Sequence, residues 1–297
     1  MNQPLRSFAL ACASAGLLAA CQPQAKPAKA VSTKPATAAE PPKQVAVAEG
    51  AQLPASPVAA KTAAPTADMA TFLAANDLSP LWQADYSQKA NDSSRPIILD
   101  GFYGDEHRHI SVIFERVQRD AAQPNVFQVQ GRTRYKKYIT PFEGTITVEG
   151  LKPLKAYLDL DSVEEARARA YTATARFTLR EDPTTDGAGT YQGTAAMDFY
   201  QLASGKLHLV QLMPDPVLPT GGGGLLFRGQ WTSNRTGRRQ AVAFANYSEA
   251  VLPDAMKDLY IGERGETLNP KYARLDWSEA WENDEWWAKP ARPALSL

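Results

Sequence analysis

From Tyr171 to Leu179 the chain alternates without a break. Tyr171, Ala173, Ala175, Phe177 and Leu179 fall on one side, and Thr172, Thr174, Arg176 and Thr178 on the other. A period of two sends successive side chains to opposite faces of a strand, so this run has an apolar inner face and a polar outer one. Across the turn Asp182-Pro183-Thr184-Thr185-Asp186-Gly187, the residues Tyr191, Gly193, Ala195, Met197 and Phe199 answer it, and the pair reads as a hairpin. Similar runs occupy Pro96 to Tyr103, His109 to Gln118, Val126 to Tyr135, Phe142 to Glu149, Lys206 to Leu212, Leu225 to Trp231 and Ala241 to Asn246. About nine strands result, joined mostly by connections short enough for antiparallel neighbours. The expected fold is mainly β: an antiparallel β-barrel, with a β-sandwich as the alternative. Closure favours the barrel because it removes exposed edges.

The flanks of this run lose the period of two. Ala67 to Gln83 carries Met69, Phe72, Leu73, Leu78, Leu81 and Trp82 at helical spacing and predicts one short capping helix. Leu151 to Ala166 interrupts the strands and is expected to hold a helical turn. Ala250 to Ile261 is a second helical candidate. Tyr272 to Ala288 predicts a C-terminal helix with Trp277 and Trp281 four residues apart among acidic neighbours. Four of the six tryptophans lie in this tail. Either the tail packs along the domain, or Trp277 and Trp281 form a docking surface, since aromatics are enriched at interface hot spots.

The N-terminus has a different character. Arg6 precedes an apolar run from Phe8 to Ala20 that is shorter than the ~20 residues of a spanning helix. It ends in Leu18-Ala19-Ala20-Cys21, which resembles the lipobox of bacterial lipoprotein precursors. The resemblance implies that residues 1–20 are a signal peptide, and that Cys21 becomes an acylated N-terminus holding the protein to a lipid bilayer. Several acyl chains anchor stably where one alone holds weakly. Gln22 in place of Asp implies the outer membrane, on its periplasmic face or at the cell surface. Residues 21–67 then form the lipidated cysteine and a disordered tether, because Gln22 to Thr66 has no aromatic residue and hardly a large apolar one. Residues 68–297 form a single β-rich domain with a helical tail.

Composition narrows the function. With 32 basic and 32 acidic side chains the chain is not built for nucleic acid. Its two cysteines, Cys12 and Cys21, fall in the signal and at the acylation site, so the mature domain has no disulfide or thiolate metal site. The densest chemistry is Asp105-Glu106-His107-Arg108-His109. Two imidazoles at i,i+2 share a strand face and, with a carboxylate from Asp105 or Glu106, offer ligands to a metal ion. The bland reading is a solvated His-x-His pair, and no metal or cofactor is expected. Arg132, Arg134, Lys136 and Lys137 make an outward basic stripe, suited to an acidic glycan or lipid headgroup or simply solvated. Gly221 to Gly224 lacks the Lys-Ser/Thr of a phosphate loop, and no Gly-x-Ser-x-Gly elbow is present.

Phe227-Arg228-Gly229-Gln230-Trp231-Thr232, followed by a tight turn and a strand, resembles the Gly-x-Trp strand of calycin barrels, the lipocalins and avidins. That likeness implies a carrier of a small apolar ligand. The first expectation is nevertheless a non-catalytic binding or interaction module with an envelope protein or glycan as partner. The calycin-like carrier is the alternative, and a metal-dependent enzyme using His107 and His109 the second. The bulk of the inward aromatics predicts a filled interior. Replacing Cys21 with Ala is expected to abolish incorporation of a labelled fatty acid; label that persists would overturn the anchor.

Overall fold

The computed structural model describes residues 66–83, 96–155, 168–211, 214–261, 267–278 and 285–288, all within one compact unit, 59–297. The signal-like segment, Cys21, the tether as far as residue 65 and Trp281 lie outside the described residues, as do residues 156–166 of the stretch expected to hold a helical turn, whose first residues, Leu151 to Pro153, are strand instead.

Strands β1 (Leu99–Tyr103), β2 (Arg108–Arg119), β3 (Val126–Tyr135), β4 (Tyr138–Pro153), β5 (Arg169–Glu181) and β6 (Gly189–Gln201) form an antiparallel meander. β6 then pairs with β7 (Leu207–Leu209) and β8 (Leu225–Ser233), β8 with β9 (Arg239–Ala245), and β9 with β1. The sheet therefore closes on itself, and the sandwich alternative is excluded. β7 and β8 share one position in the ring: β6 meets β7 at Phe199 to Gln201 and β8 at Gly189 to Met197. They behave as one strand interrupted by the excursion between Val210 and Gly224. The Gly-x-Trp piece lies in β8.

Closure makes the inward phase a core. Phe227 stacks on Phe244 at 4.9 Å and lies 5.3 Å from Phe177, 5.5 Å from Phe114 and 6.0 Å from Trp82. The bulky side chains expected inward, Phe127, Tyr135, Phe142, Tyr171, Phe177, Tyr191, Met197, Phe199, Phe227 and Trp231 among them, pack in this one cluster. Glycine makes room for one of these rings: a Cβ on Gly131 would stand 2.1 Å from Ile113 O and 2.5 Å from Phe142 Cζ. Small barrels are filled in this way, bulky residues facing small ones.

The capping element is two helices, α1 (Ala67–Ala75) and α2 (Ser79–Gln83), rather than one. Asp77 splits them, because its Oδ1 accepts from both the N–H and the hydroxyl of Ser79 and starts a new helix where the sequence suggested a break. Leu73, Leu78 and Trp82 are wholly buried in the barrel cluster. Arg119 Nη1 donates to Leu73 O at 2.8 Å and fixes α1 to the end of β2. No helix among the described residues is long and apolar enough to cross a membrane.

The tail departs from expectation. Where Ala250 to Ile261 and Tyr272 to Ala288 predicted helices, the described residues form short 3-10 turns at Ser248–Ala250, Asp254–Met256, Pro270–Leu275 and Trp286–Ala288, and a β10–β11 pair, Tyr260–Ile261 with Thr267–Leu268. Pro253 enters one turn in extended backbone, and Asp276, at φ 65°, ends another in the left-handed region. Neither geometry propagates an α-helix. Packing on the wall replaces helical periodicity: Met256, Leu259, Tyr272, Leu275 and Trp277 gather around Phe102, while Trp286 sits on Ile113 and Ile139. The tail thus covers an outward face that the sequence had made apolar.

Phe177→Ala is expected to destabilise the protein by about 3–5 kcal/mol, the cost of truncating a packed aromatic. Denaturant unfolding measures it, and a nearly neutral substitution would mean that the lumen is not packed.

Candidate functional site

The histidine cluster does not assemble as a metal site. Asp105 and Glu106 are exposed in the turn between β1 and β2. His107 lies in that turn at φ 54°, not in a strand, and its ring meets Phe102 edge-on at 4.7 Å. Burial, against the opposing charge of Asp105, lowers its pKa and favours the neutral imidazole. His109 is in β2, buried, with Nε2 at 2.8 Å from Asp100 Oδ1. Among the described residues no three His, Cys, Asp or Glu side chains gather where a metal ion could be held.

What forms instead is a Ser, His and Asp group the sequence did not suggest. Asp100 and Ser111 are cross-strand partners, and Ser111 Oγ donates to Asp100 Oδ1 at 2.7 Å. Ser111 Oγ is 3.4 Å from His109 Nε2. In a nucleophilic triad the imidazole bridges serine and carboxylate through its two nitrogens. Here the serine proton goes to the carboxylate directly, and Nε2 faces the same oxygen. Trp277 closes over His109 at 4.9 Å, donating Nε1–H to His107 O at 2.9 Å, and Ser111 is wholly buried. This group ties β1, β2 and the tail together, with the serine hydroxyl closed off from solvent.

Trp277 is therefore wholly buried and spent on the protein itself. The basic stripe is divided as well. Arg134 is buried, its guanidinium 5.4 Å from the Trp286 ring, so this part of the stripe is covered and not solvated. Arg132 pairs with Glu115 at 3.0 Å. Lys136 and Lys137 occupy the β3–β4 turn, over the rings of Tyr135 and Tyr138.

Next to this covered patch the wall opens into a groove of about 290 Å³, lined by Arg116, Gln118, Gln128, Gln130, Glu143, Thr145 and Arg180, with Val129 and Gly144. Its origin is a β-bulge. Register slips between Phe114 and Arg116, so the inward phase jumps from Phe114 to Val117 and both Glu115 and Arg116 face out. Glu115 goes to Arg132; Arg116 turns into the groove, where its Nη2 donates to Gln118 Oε1 at 2.9 Å. Pairing then sets Arg116 opposite Gln130, Gln130 opposite Glu143, and Glu143 opposite Arg180. Four strands thus carry one polar row. The outward polarity of Gln128 and Gln130 is plain in the sequence. The bulge is written only in the three-residue step from Phe114 to Val117.

A second polar group lies inside the barrel, at the end formed by the β3–β4, β5–β6 and β8–β9 turns. Glu181 follows Phe177 and Leu179 in the inward phase, a lone carboxyl in an apolar register that is visible in the sequence. Its carboxyl accepts from Gly189 N at 2.8 Å, Trp231 Nε1 at 3.0 Å, Tyr191 Oη at 3.3 Å and Thr133 Oγ1 at 3.4 Å. A Cβ on Gly189 would strike the Trp231 ring at 2.2 Å, so glycine both admits the indole and brings its own N–H to the carboxyl. Burial raises the pKa of Glu181 despite these four donors. Burial, with Tyr135 and Glu181 beside it, likewise raises that of Tyr103, whose hydroxyl is buried without a hydrogen-bond partner among the described residues.

No protein-family model, curated protein or solved structure matches this chain. Function has to be argued from the site.

Because the folded pKa of Glu181 lies above its ordinary 4.5, its contribution to stability is complete below that value and is lost as pH rises through the folded pKa. Wild-type stability should therefore decline relative to Glu181→Gln as the pH is raised from below 4.5 through the neutral range. Urea midpoints across that range test this, and parallel curves would mean that Glu181 titrates alike folded and unfolded.

Proposed function

We propose that the protein is a lipid-anchored binding module of the bacterial outer membrane, non-catalytic, whose ligand lies in the outer-wall groove and not in the lumen. The observation that carries this reading is the filled barrel. A carrier of the calycin type needs an apolar hollow, and here Phe114, Phe177, Phe227, Phe244 and Trp82 occupy the lumen ring against ring. The metal-enzyme reading finds no assembled ligand set among the described residues.

The outer surface supports a polar partner over an apolar one. Contiguous exposed apolar patches mark hydrophobic docking sites. Among the described residues only Val217 and Ile261 are large, hydrophobic and exposed. The groove instead gathers two guanidinium groups, three side-chain amides, a hydroxyl and a carboxylate. Cys21 and the tether from Gln22 would keep such a wall close to the envelope while leaving it free to turn toward its ligand.

The full chain carrying Cys21→Ala, which cannot be held by acyl chains, should be retained by delipidated cell envelope. The same chain with Arg116→Ala and Arg180→Ala should lose that retention at least about tenfold, as expected when two charged hydrogen-bond donors are removed. Equal retention of both would refute the groove as the binding site.

A further inference from the structure

Resting on that reading, we infer that the groove on β2 to β5 binds a carboxylate-bearing glycan, with one acidic group at Arg116, another at Arg180 and sugar hydroxyls between them. The row Arg116, Gln130, Glu143, Arg180 crosses adjacent strands in register. At ~4.8 Å per strand its ends stand roughly 14 Å apart. A second row runs alongside from Gln118 through Gln128 to Thr145. Guanidinium groups at both ends select anions, because each presents a planar fork that matches a carboxylate. The amides between them both donate and accept, as a chain of hydroxyl groups requires.

Three observations narrow the class. Among the described residues the lining has no aromatic side chain to stack on the apolar face of a neutral sugar. Charge and hydrogen bonding must do the recognition. Glu143 stands between the two arginines; it accepts from a hydroxyl but repels a chain of phosphates, whose charge is higher. The ring has no free strand edge in this wall, since β2, β3, β4 and β5 are each paired on both sides. An extended peptide therefore finds no ladder to join, which is how strand-like peptides gain most of their affinity. A glycan needs no such ladder.

Isothermal titration of the full Cys21→Ala chain with tetragalacturonate, maltotetraose, tripolyphosphate and poly-glutamate tests the inference. Tetragalacturonate should bind, more weakly as salt rises, and Arg116→Ala or Arg180→Ala should each loosen it about tenfold. Both arginines are exposed, so the variants should unfold at the wild-type midpoint, and Arg116→Lys should retain only part of the affinity because it keeps the charge without the fork. Maltotetraose binding as tightly as the acidic sugar, or affinity unchanged in both arginine variants, would overturn the inference. So would tighter binding of tripolyphosphate, which would make the ligand a phosphate, or of poly-glutamate, which would make it a peptide. If no acidic sugar binds while delipidated envelope still retains the chain through Arg116 and Arg180, the glycan assignment fails and the groove stands; if envelope retention is also insensitive to them, both fail.

Discussion

Ring closure is the constraint from which the other features follow. Once β5 pairs with β6 and β9 with β1, every inward side chain faces a lumen only about as wide as the side chains themselves. Phe227 cannot move without displacing Phe114, Phe177, Phe244 or Trp82. The helices at one end seal the core with Leu73, Leu78 and Trp82, and the Glu181 group completes it at the other. A barrel so filled holds, among the described residues, no ligand-sized hollow between these two ends.

Closure also has to survive an interruption, and Asp198 supplies the repair. The chain leaves the ring after Val210 and returns at Gly224. Asp198 N donates to Gly224 O and Asp198 O accepts from Val210 N, both at 2.9 Å, so one residue of β6 holds both ends of the excursion. Its carboxylate is wholly buried and takes hydrogen bonds from Thr172 Oγ1 at 2.6 Å, Thr220 N at 2.9 Å and Thr220 Oγ1 at 2.7 Å. A buried carboxylate without donors would be costly; one with three of them binds the returning loop to the wall.

The barrel was legible because alternation is a local signal that each strand carries for itself. Tyr171 to Leu179 and Tyr191 to Phe199 announced both the strands and their pairing, and the inward aromatics announced the filled lumen. The tail was not legible in the same way. Trp277 and Trp286 take their positions from Phe102, His109, Ile113 and Ile139, far away in sequence, and helical spacing was a poor guide to a segment shaped by the wall it covers. Asp100, His109 and Ser111 were equally hidden, since only the register of β1 against β2 brings them together. The groove was half visible: its glutamines read as a polar face, but the arginine at its rim depends on a bulge.

That bulge is where the outer wall changes character. Along β2 the outward residues before it are His109, Ser111 and Ile113, all buried under the tail; after it come Glu115, Arg116 and Gln118, all exposed. β4 shows the same division, with Ile139 under Trp286 and Glu143 in the groove. On β3, Arg134 lies beneath Trp286 while Gln130 and Gln128 are open. The registered row Ile113, Arg132, Pro141 borders the covered side, and the next, Arg116, Gln130, Glu143, opens the groove. By adding one outward residue at this border, the bulge lets β2 supply Glu115 to neutralise Arg132 and still place Arg116 in the groove. Without the extra residue one polar side chain would have to serve both sides, and either the paired arginine at the border or the cation of the groove would be lost.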